Sequence, residues 1–252
     1  MSDVVTKNRK VVEMSLHQEV PTKLWDVHES TPDKIHEPHA DKSPRILCWA
    51  LVRLDTFWAK AKALQDTWTQ RCHKVIFFSW RMHGLEFDWF LKSDDDTYVV
   101  MDNLREMLRH YDPDSPVYFG YRFKPYTPQG YMSGGAGYVL SREALRRLVM
   151  YGILGKFCGP FTGVEDLDIG RCLYTVGVKA ADSVDDLGLE RFHPLNFYAY
   201  FGDMKLPAWT ADYAFHPFKR GFSCCSNKTI SFHYIRPHEM YMLEFLIYHM
   251  RR

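Results

Sequence analysis

The sequence predicts an α/β domain with a mixed, mostly parallel central sheet flanked by helices. Short, strongly apolar runs at Ile46–Val52, Val75–Phe78 and Phe87–Leu91 read as strands. The first is uninterrupted, as in strands covered on both faces. Between the first two, Phe57, Ala61, Leu64 and Trp68 recur at helical spacing within Phe57–Cys72, and strand, helix, strand in succession indicates a parallel sheet. The 252 residues, 46% hydrophobic and 25% charged, have the length and composition of a folded domain.

The elements follow in order. Residues 1–43 are polar, carry Pro21, Pro32 and Pro38, and read as a stem or linker; residues 44–252 form the domain. Only residues 79–86 separate the second and third strands. A parallel crossover needs about a dozen residues, so these strands are antiparallel, or not adjacent, or a βα unit is missing. Asp102–His110 reads as a helix and Val117–Gly120 as a strand. Ser141 is an N-cap, with Glu143 in the first turn of a helix through Val149. A helix over Glu165–Val176, a strand over Thr229–Ile235 and a helix over His238–Met250 complete the chain.

Charge and cysteine content bound the function. Lys and Arg number 32 against 31 Asp and Glu, so the basic excess of a broad nucleic-acid surface is absent. No stretch reaches the roughly 20 apolar residues of a membrane-crossing helix, and Met1–Lys7 lacks a signal-peptide core. Six cysteines fit three disulfides or six reduced, buried thiols, and no C-x-x-C pair points to zinc.

Six features bear on chemistry. Asp94-Asp95-Asp96 leaves a buried strand, where ligands bind in α/β sheets; like charges there call for a cation such as Mg²⁺ or Mn²⁺, or form a solvated acidic turn that caps the next segment. Gly134-Gly135-Ala136-Gly137 permits close backbone approach to a ligand or simply makes a turn. Glu165-Asp166 opens a helix, a position that suits a base and equally a cap. His233 lies in a strand, where histidine is commonly structural. Trp209, Tyr213, Phe215 and Phe218 form core under a loop or a sugar-stacking platform. Asn227-Lys228-Thr229 is an N-glycosylation sequon, meaningful in a secretory chain.

Taken together, several ordered motifs resemble the Fringe-like β1,3-glycosyltransferases. They are Trp89-Phe90-Leu91-Lys92-Ser93-Asp94-Asp95-Asp96-Thr97-Tyr98, the segments Tyr118–Tyr126 and Gln129–Ser141, Glu165-Asp166-Leu167, Gly170-Arg171-Cys172, Cys224-Cys225-Ser226 and Ser231-Phe232-His233-Tyr234. Within the family the likeness is to the branch that builds core 1 O-glycans, and it runs from about Arg45 to the end.

The resemblance implies a GT-A type fold and an inverting enzyme. Such an enzyme uses Mn²⁺ to move galactose from UDP-galactose, in β1,3 linkage, to GalNAc on Ser or Thr of a glycoprotein. It implies a type II Golgi membrane protein, often a homodimer. Asp96 and His233 become metal ligands, joined by Asp94; Asp94, Asp95, Gly134, Gly135, Glu165 and Tyr241 serve the nucleotide sugar. Asp166 becomes the catalytic base, and Trp209 and Tyr213 hold the acceptor. In this context the cysteines pair as Cys48–Cys72, Cys158–Cys172 and Cys224–Cys225. Against relatives, the segment between Phe78 and Phe87 is short and Arg53 replaces a small polar residue. A non-catalytic relative, acting as chaperone or binding partner, is the second reading.

Overall fold

The structure, a computed structural model, describes residues 43–51, 57–77 and 87–250. The stem reading of residues 1–43 therefore falls, but for its last residue, outside the described residues, as do Arg53 and the short segment after Phe77.

Strand β1 (Ile46–Leu51) leads to helix α1 (Phe57–Asp66), a 3₁₀ turn at Trp68–Arg71 and β2 (Lys74–Phe77). β3 (Trp89–Asp94), β4 (Tyr98–Val99) and α2 (Met101–Leu108) follow, then β5 (Val117–Gly120), β6 (Arg122–Phe123), β7 (Tyr131–Met132) and β8 (Tyr138–Ser141). α3 (Arg142–Arg147), α4 (Glu165–Thr175), β9 (Lys179–Ala180), β10 (Phe192–His193), α5 (Phe197–Phe201), α6 (Trp209–Tyr213), β11 (Ser231–Phe232) and α7 (Pro237–Glu244) complete the order.

The main sheet has six strands in the order β2-β1-β3-β8-β5-β9. β1 pairs in parallel with both β2 and β3. The short connection therefore joins strands that are not adjacent, β1 lying between them. β8 alone runs antiparallel, between β3 and β5. It is buried throughout. The sequence reading missed it because it fills the four residues between the glycine run and the Ser141 cap.

Alternation along these strands builds a core on each face. Cys48, Trp89, Leu91, Phe119 and Val139 pack on one side with Trp68, Leu64 and Tyr98. Leu47, Phe90, Tyr118, Tyr138 and Leu140 pack on the other with Leu148, Cys172 and Leu173. Ser141 caps α3 as expected, its Oγ accepting the Ala144 N–H at 3.0 Å. That helix continues past Val149 as a wider turn over Leu148–Leu154.

Two expected elements shrink. Within Thr229–Ile235 only Ser231 and Phe232 pair as strand, and the last helix is regular to Glu244 before widening over Phe245–His249. β11 joins β4 in a small second sheet, β10-β11-β4. Glu244 accepts from Arg71 at 2.6 Å and from the Tyr98 hydroxyl at 3.1 Å, tying α7 to the core.

All six cysteines are paired, as Cys48–Cys72, Cys158–Cys172 and Cys224–Cys225. The first crosses from β1 to the end of the 3₁₀ turn, and the second packs on Gly152, where a Cβ would lie 2.6 Å from each sulfur. Among the described residues no helix is long and apolar enough to cross a membrane.

Replacing Cys48 and Cys72 together by serine is expected to lower stability by about 3 kcal/mol, the chain-entropy value for a loop of this length, read by urea unfolding. A second expectation concerns Glu190. Burial and the nearby Asp182 charge push its carboxyl up to about 8 from 4.5. Folding then takes up a proton between those values, so this group's contribution to stability falls as pH rises through the window. The urea midpoint of Glu190→Gln should gain on wild type from pH 4.5 to 8; a constant difference would contradict this.

Candidate active site

The site begins at the exit of β3. That strand carries one charged residue in its buried stretch, Lys92, which is 2% exposed. Burying an ammonium is costly unless it is paired and hydrogen-bonded. Lys92 Nζ meets Asp94 Oδ1 at 2.6 Å, Glu165 Oε2 at 3.1 Å and the Gly134 carbonyl at 3.3 Å. Burial pulls its pKa down, but the Asp94 and Glu165 charges outweigh it and hold the ammonium above its ordinary value. One side chain thus joins the acidic triplet, the glycine run and the start of α4.

The three aspartates divide between two environments. Asp95 is buried and pairs with Lys60 of α1 at 2.7 Å. Asp94 and Asp96 converge with His233, one suitable atom from each lying within 4.8 Å of the others. His233 Nε2 is 3.1 Å from Asp96 Oδ1 and 3.7 Å from Asp94 Oδ2. Burial raises the Asp96 pKa, yet the His233 hydrogen bond and charge bring it below the usual carboxylate value.

The backbone explains how a histidine so far along the chain arrives here. Phe232 pairs with Tyr98 across β11 and β4, and the Ile235 N–H donates to the Asp96 carbonyl at 2.8 Å. His233 leaves the strand between these two ties. Tyr234 follows with φ of 54° and stacks on the imidazole, centroids 3.8 Å apart. Such a backbone is strained for a tyrosine and is typical of functional sites.

The glycines make room for side chains. A Cβ on Gly135 would stand 2.1 Å from His233 Cε1, and one on Gly134 would stand 3.0 Å from both Lys92 Nζ and Glu165 Oε2. The Gly135 carbonyl accepts from Thr97 Oγ1 at 2.8 Å. The Gly134 N–H donates to Asp166 Oδ2 at 2.9 Å, while Asp166 Oδ1 takes the Leu167 N–H at 2.8 Å. Glu165 accepts the Tyr138 hydroxyl at 2.5 Å; burial, then the Glu165 charge, pushes that phenol well above its ordinary pKa. Asp168 accepts from Thr162 and Gly163 backbone N–H groups at 2.8 to 3.0 Å and so fixes the loop that enters α4.

Trp209 and Tyr213 of α6 surround Phe123 at ring-centroid distances of 5.6 and 5.9 Å. The Tyr213 hydroxyl lies 2.5 Å from that of Tyr126, an exposed residue with φ of 70°. Phe123 also touches Tyr131, centroids 5.5 Å apart. The pKa of Tyr131 is raised by burial and by the Asp166 charge. Tyr241 is held elsewhere in the network, donating to Asp66 of α1 at 2.7 Å.

Asp94, Asp96 and His233 come together, and so do Glu165, Asp166 and the glycines. Lys92, Thr97, Tyr138, Asp168 and Tyr234 are additional. Lys92 alone carried a legible signal, as a lone charge inside an apolar strand.

A mixed, mostly parallel sheet with a carboxylate–imidazole centre at the end of a parallel strand is consistent with a GT-A type fold. Two carboxylates and an imidazole suit a divalent cation of the Mg²⁺–Mn²⁺ kind better than a soft metal. Comparison with known proteins agrees. The profile of the family described as Fringe-like matches residues 28–233. Glycoprotein-N-acetylgalactosamine 3-beta-galactosyltransferase 1 of Xenopus laevis is 42% identical over 246 residues, covering 83% of this chain and 68% of that protein. Beta-1,3-glucosyltransferase of Mus musculus is 34% identical over 101 residues, 39% of this chain and 20% of that protein. Chondroitin sulfate synthase 3 of Mus musculus is 32% identical over 103 residues, 36% of this chain and 11% of that protein. The chain belongs to the Fringe-like family of glycosyltransferases.

Gly135→Ala is expected to displace His233 and to weaken divalent-cation binding at least about tenfold, the effect typical of disturbing a metal ligand's support. Calorimetric titration of the folded variant with Mn²⁺ checks this, with unchanged affinity as the contrary result.

Proposed function

We propose that this chain transfers galactose from UDP-galactose to the 3-hydroxyl of GalNAc on Ser or Thr of glycoproteins, with inversion, and works in the Golgi lumen. The observation that supports it most is the division of labour across Gly134 and Gly135. One glycine touches the His233 ring of the Asp94–Asp96–His233 group, and its neighbour donates to Asp166. A leaving-group side and a proton-accepting side are therefore fixed by adjacent residues. The likeness to a galactosyltransferase that acts on N-acetylgalactosamine supplies donor and acceptor, and it favours an enzyme over a non-catalytic binding partner.

In this reading Asp96 and His233 hold Mn²⁺ directly, with Asp94 beside them. The bound cation supplies charge neutralisation of the diphosphate as UDP departs. Asp94 and Asp95, fixed by Lys92 and Lys60, face the donor, and Glu165 is held by Lys92 and Tyr138. Asp166 takes the proton from the attacking acceptor hydroxyl. Each of its oxygens already holds one backbone N–H, which orients the carboxylate and leaves lone pairs for a substrate. One base suffices for inversion because the displacement is a single step. Trp209 and Tyr213 offer the acceptor sugar flat apolar faces.

Asp166→Asn is expected to leave UDP binding and folding nearly unchanged while galactose transfer to a GalNAc-peptide falls on the order of 10²–10⁴-fold. Full turnover of the variant would remove Asp166 as base. Asp96→Ala and His233→Ala should each abolish Mn²⁺-dependent UDP binding in calorimetry; retained affinity would take them out of the metal set.

A further inference from the structure

The chain has four asparagines, and Asn8, Asn103 and Asn196 lack Ser or Thr two residues on. Asn227-Lys228-Thr229 is therefore its one sequon, and the middle residue is not proline. A sequon alone is a weak signal, but the structure adds two independent facts. Asn227 is exposed. It stands in a tight turn closed by the Thr229 N–H to the Ser226 carbonyl at 3.0 Å. All six cysteines are paired, and one disulfide, Cys224–Cys225, immediately precedes the turn. Stable disulfides belong to chains that fold in an oxidising lumen, the compartment where Asn-X-Thr is modified.

We propose that Asn227 carries an N-linked oligosaccharide, attached before this segment folds. In the transfer, Asn227 Nδ2 forms a bond to C1 of the first sugar and gives up one proton. The C1–O bond to a lipid diphosphate carrier breaks, and the diphosphate leaves with the electron pair.

The timing follows from the threonine. Its hydroxyl must be free for the modifying enzyme to read the sequon. In the folded chain Thr229 Oγ1 donates to the Ser226 carbonyl at 2.7 Å and lies 3.2 Å from His193 Nε2. The Thr229 carbonyl also accepts from Asn103 Nδ2 of α2 at 2.7 Å. Turn, hydroxyl and carbonyl are thus all engaged once β11 docks. Asn227 itself stays exposed, in the turn that feeds the start of β11, whereas His233 leaves its far end.

The test uses the full chain behind a cleavable secretion signal in a eukaryotic cell. Wild type should shift on a gel after peptide-N-glycosidase F, with Asp found at 227 by mass spectrometry. Asn227→Gln should migrate as the deglycosylated form, and Thr229→Ser, which preserves a hydroxyl, should still shift. Absence of a shift in the secreted wild type, or a shift that persists in Asn227→Gln, overturns the site. For the timing, chain first folded without glycan and then offered oligosaccharyltransferase with its lipid-linked donor should remain unmodified, whereas the reduced, unfolded chain should accept. Equal modification of both overturns the order. None of these readouts depends on galactosyl transfer, so the proposed reaction and the glycan stand or fall separately.

Discussion

A single buried ammonium organises this molecule. Lys92 sits on a strand covered on both faces, and its charge persists there because Asp94, Glu165 and the Gly134 carbonyl surround it. Those partners come from the end of β3, the start of α4 and the loop before β8. Removing the charge would leave the Asp94 and Glu165 carboxylates without the cation that draws them together. The arrangement is therefore less a stabilising ion pair than a geometric pin, and the reactive groups inherit their positions from it.

The second constraint is the small sheet. β4 and β11 pair over two residues each, too few to carry much energy alone. Their work is alignment. The pairing and the Ile235–Asp96 backbone bond deliver His233 against Asp96 from a distant part of the chain. Gly135 completes the fit by lacking the Cβ that would occupy the imidazole's place.

Much of this was legible beforehand, and the parts that were not share a cause. The long apolar runs of β1 and β3 and the cap at Ser141 announce themselves through burial and hydrogen-bonding chemistry local to a few residues. The acid triplet was legible for the same reason. His233 read from composition as a structural strand histidine, since nothing nearby in sequence marks it. The motif resemblance, rather than periodicity, pointed to its role. β4, β6, β7, β9 and β10 are two residues long, and two residues have no period to detect. The Tyr241 hydroxyl donates to Asp66, a tertiary contact that no local pattern encodes.

The reversed direction of β8 has a mechanical consequence. Were it parallel, the edge of the sheet that carries Asp94–Asp96 would receive the residues after Ser141. Because it is antiparallel, with Lys92 opposite Tyr138, that edge receives the residues before it, and the glycine loop is hung from the first residue of the strand. A strand advances about 3.3 Å per residue, and pairing moves in steps of two if faces are to be kept. The smallest slip that spares the core would thus carry Gly135 roughly 7 Å from the imidazole it accommodates. The ladder between β3 and β8 acts as the gauge that sets the aperture of the site, and drift in its register would show first in chemistry rather than in folding.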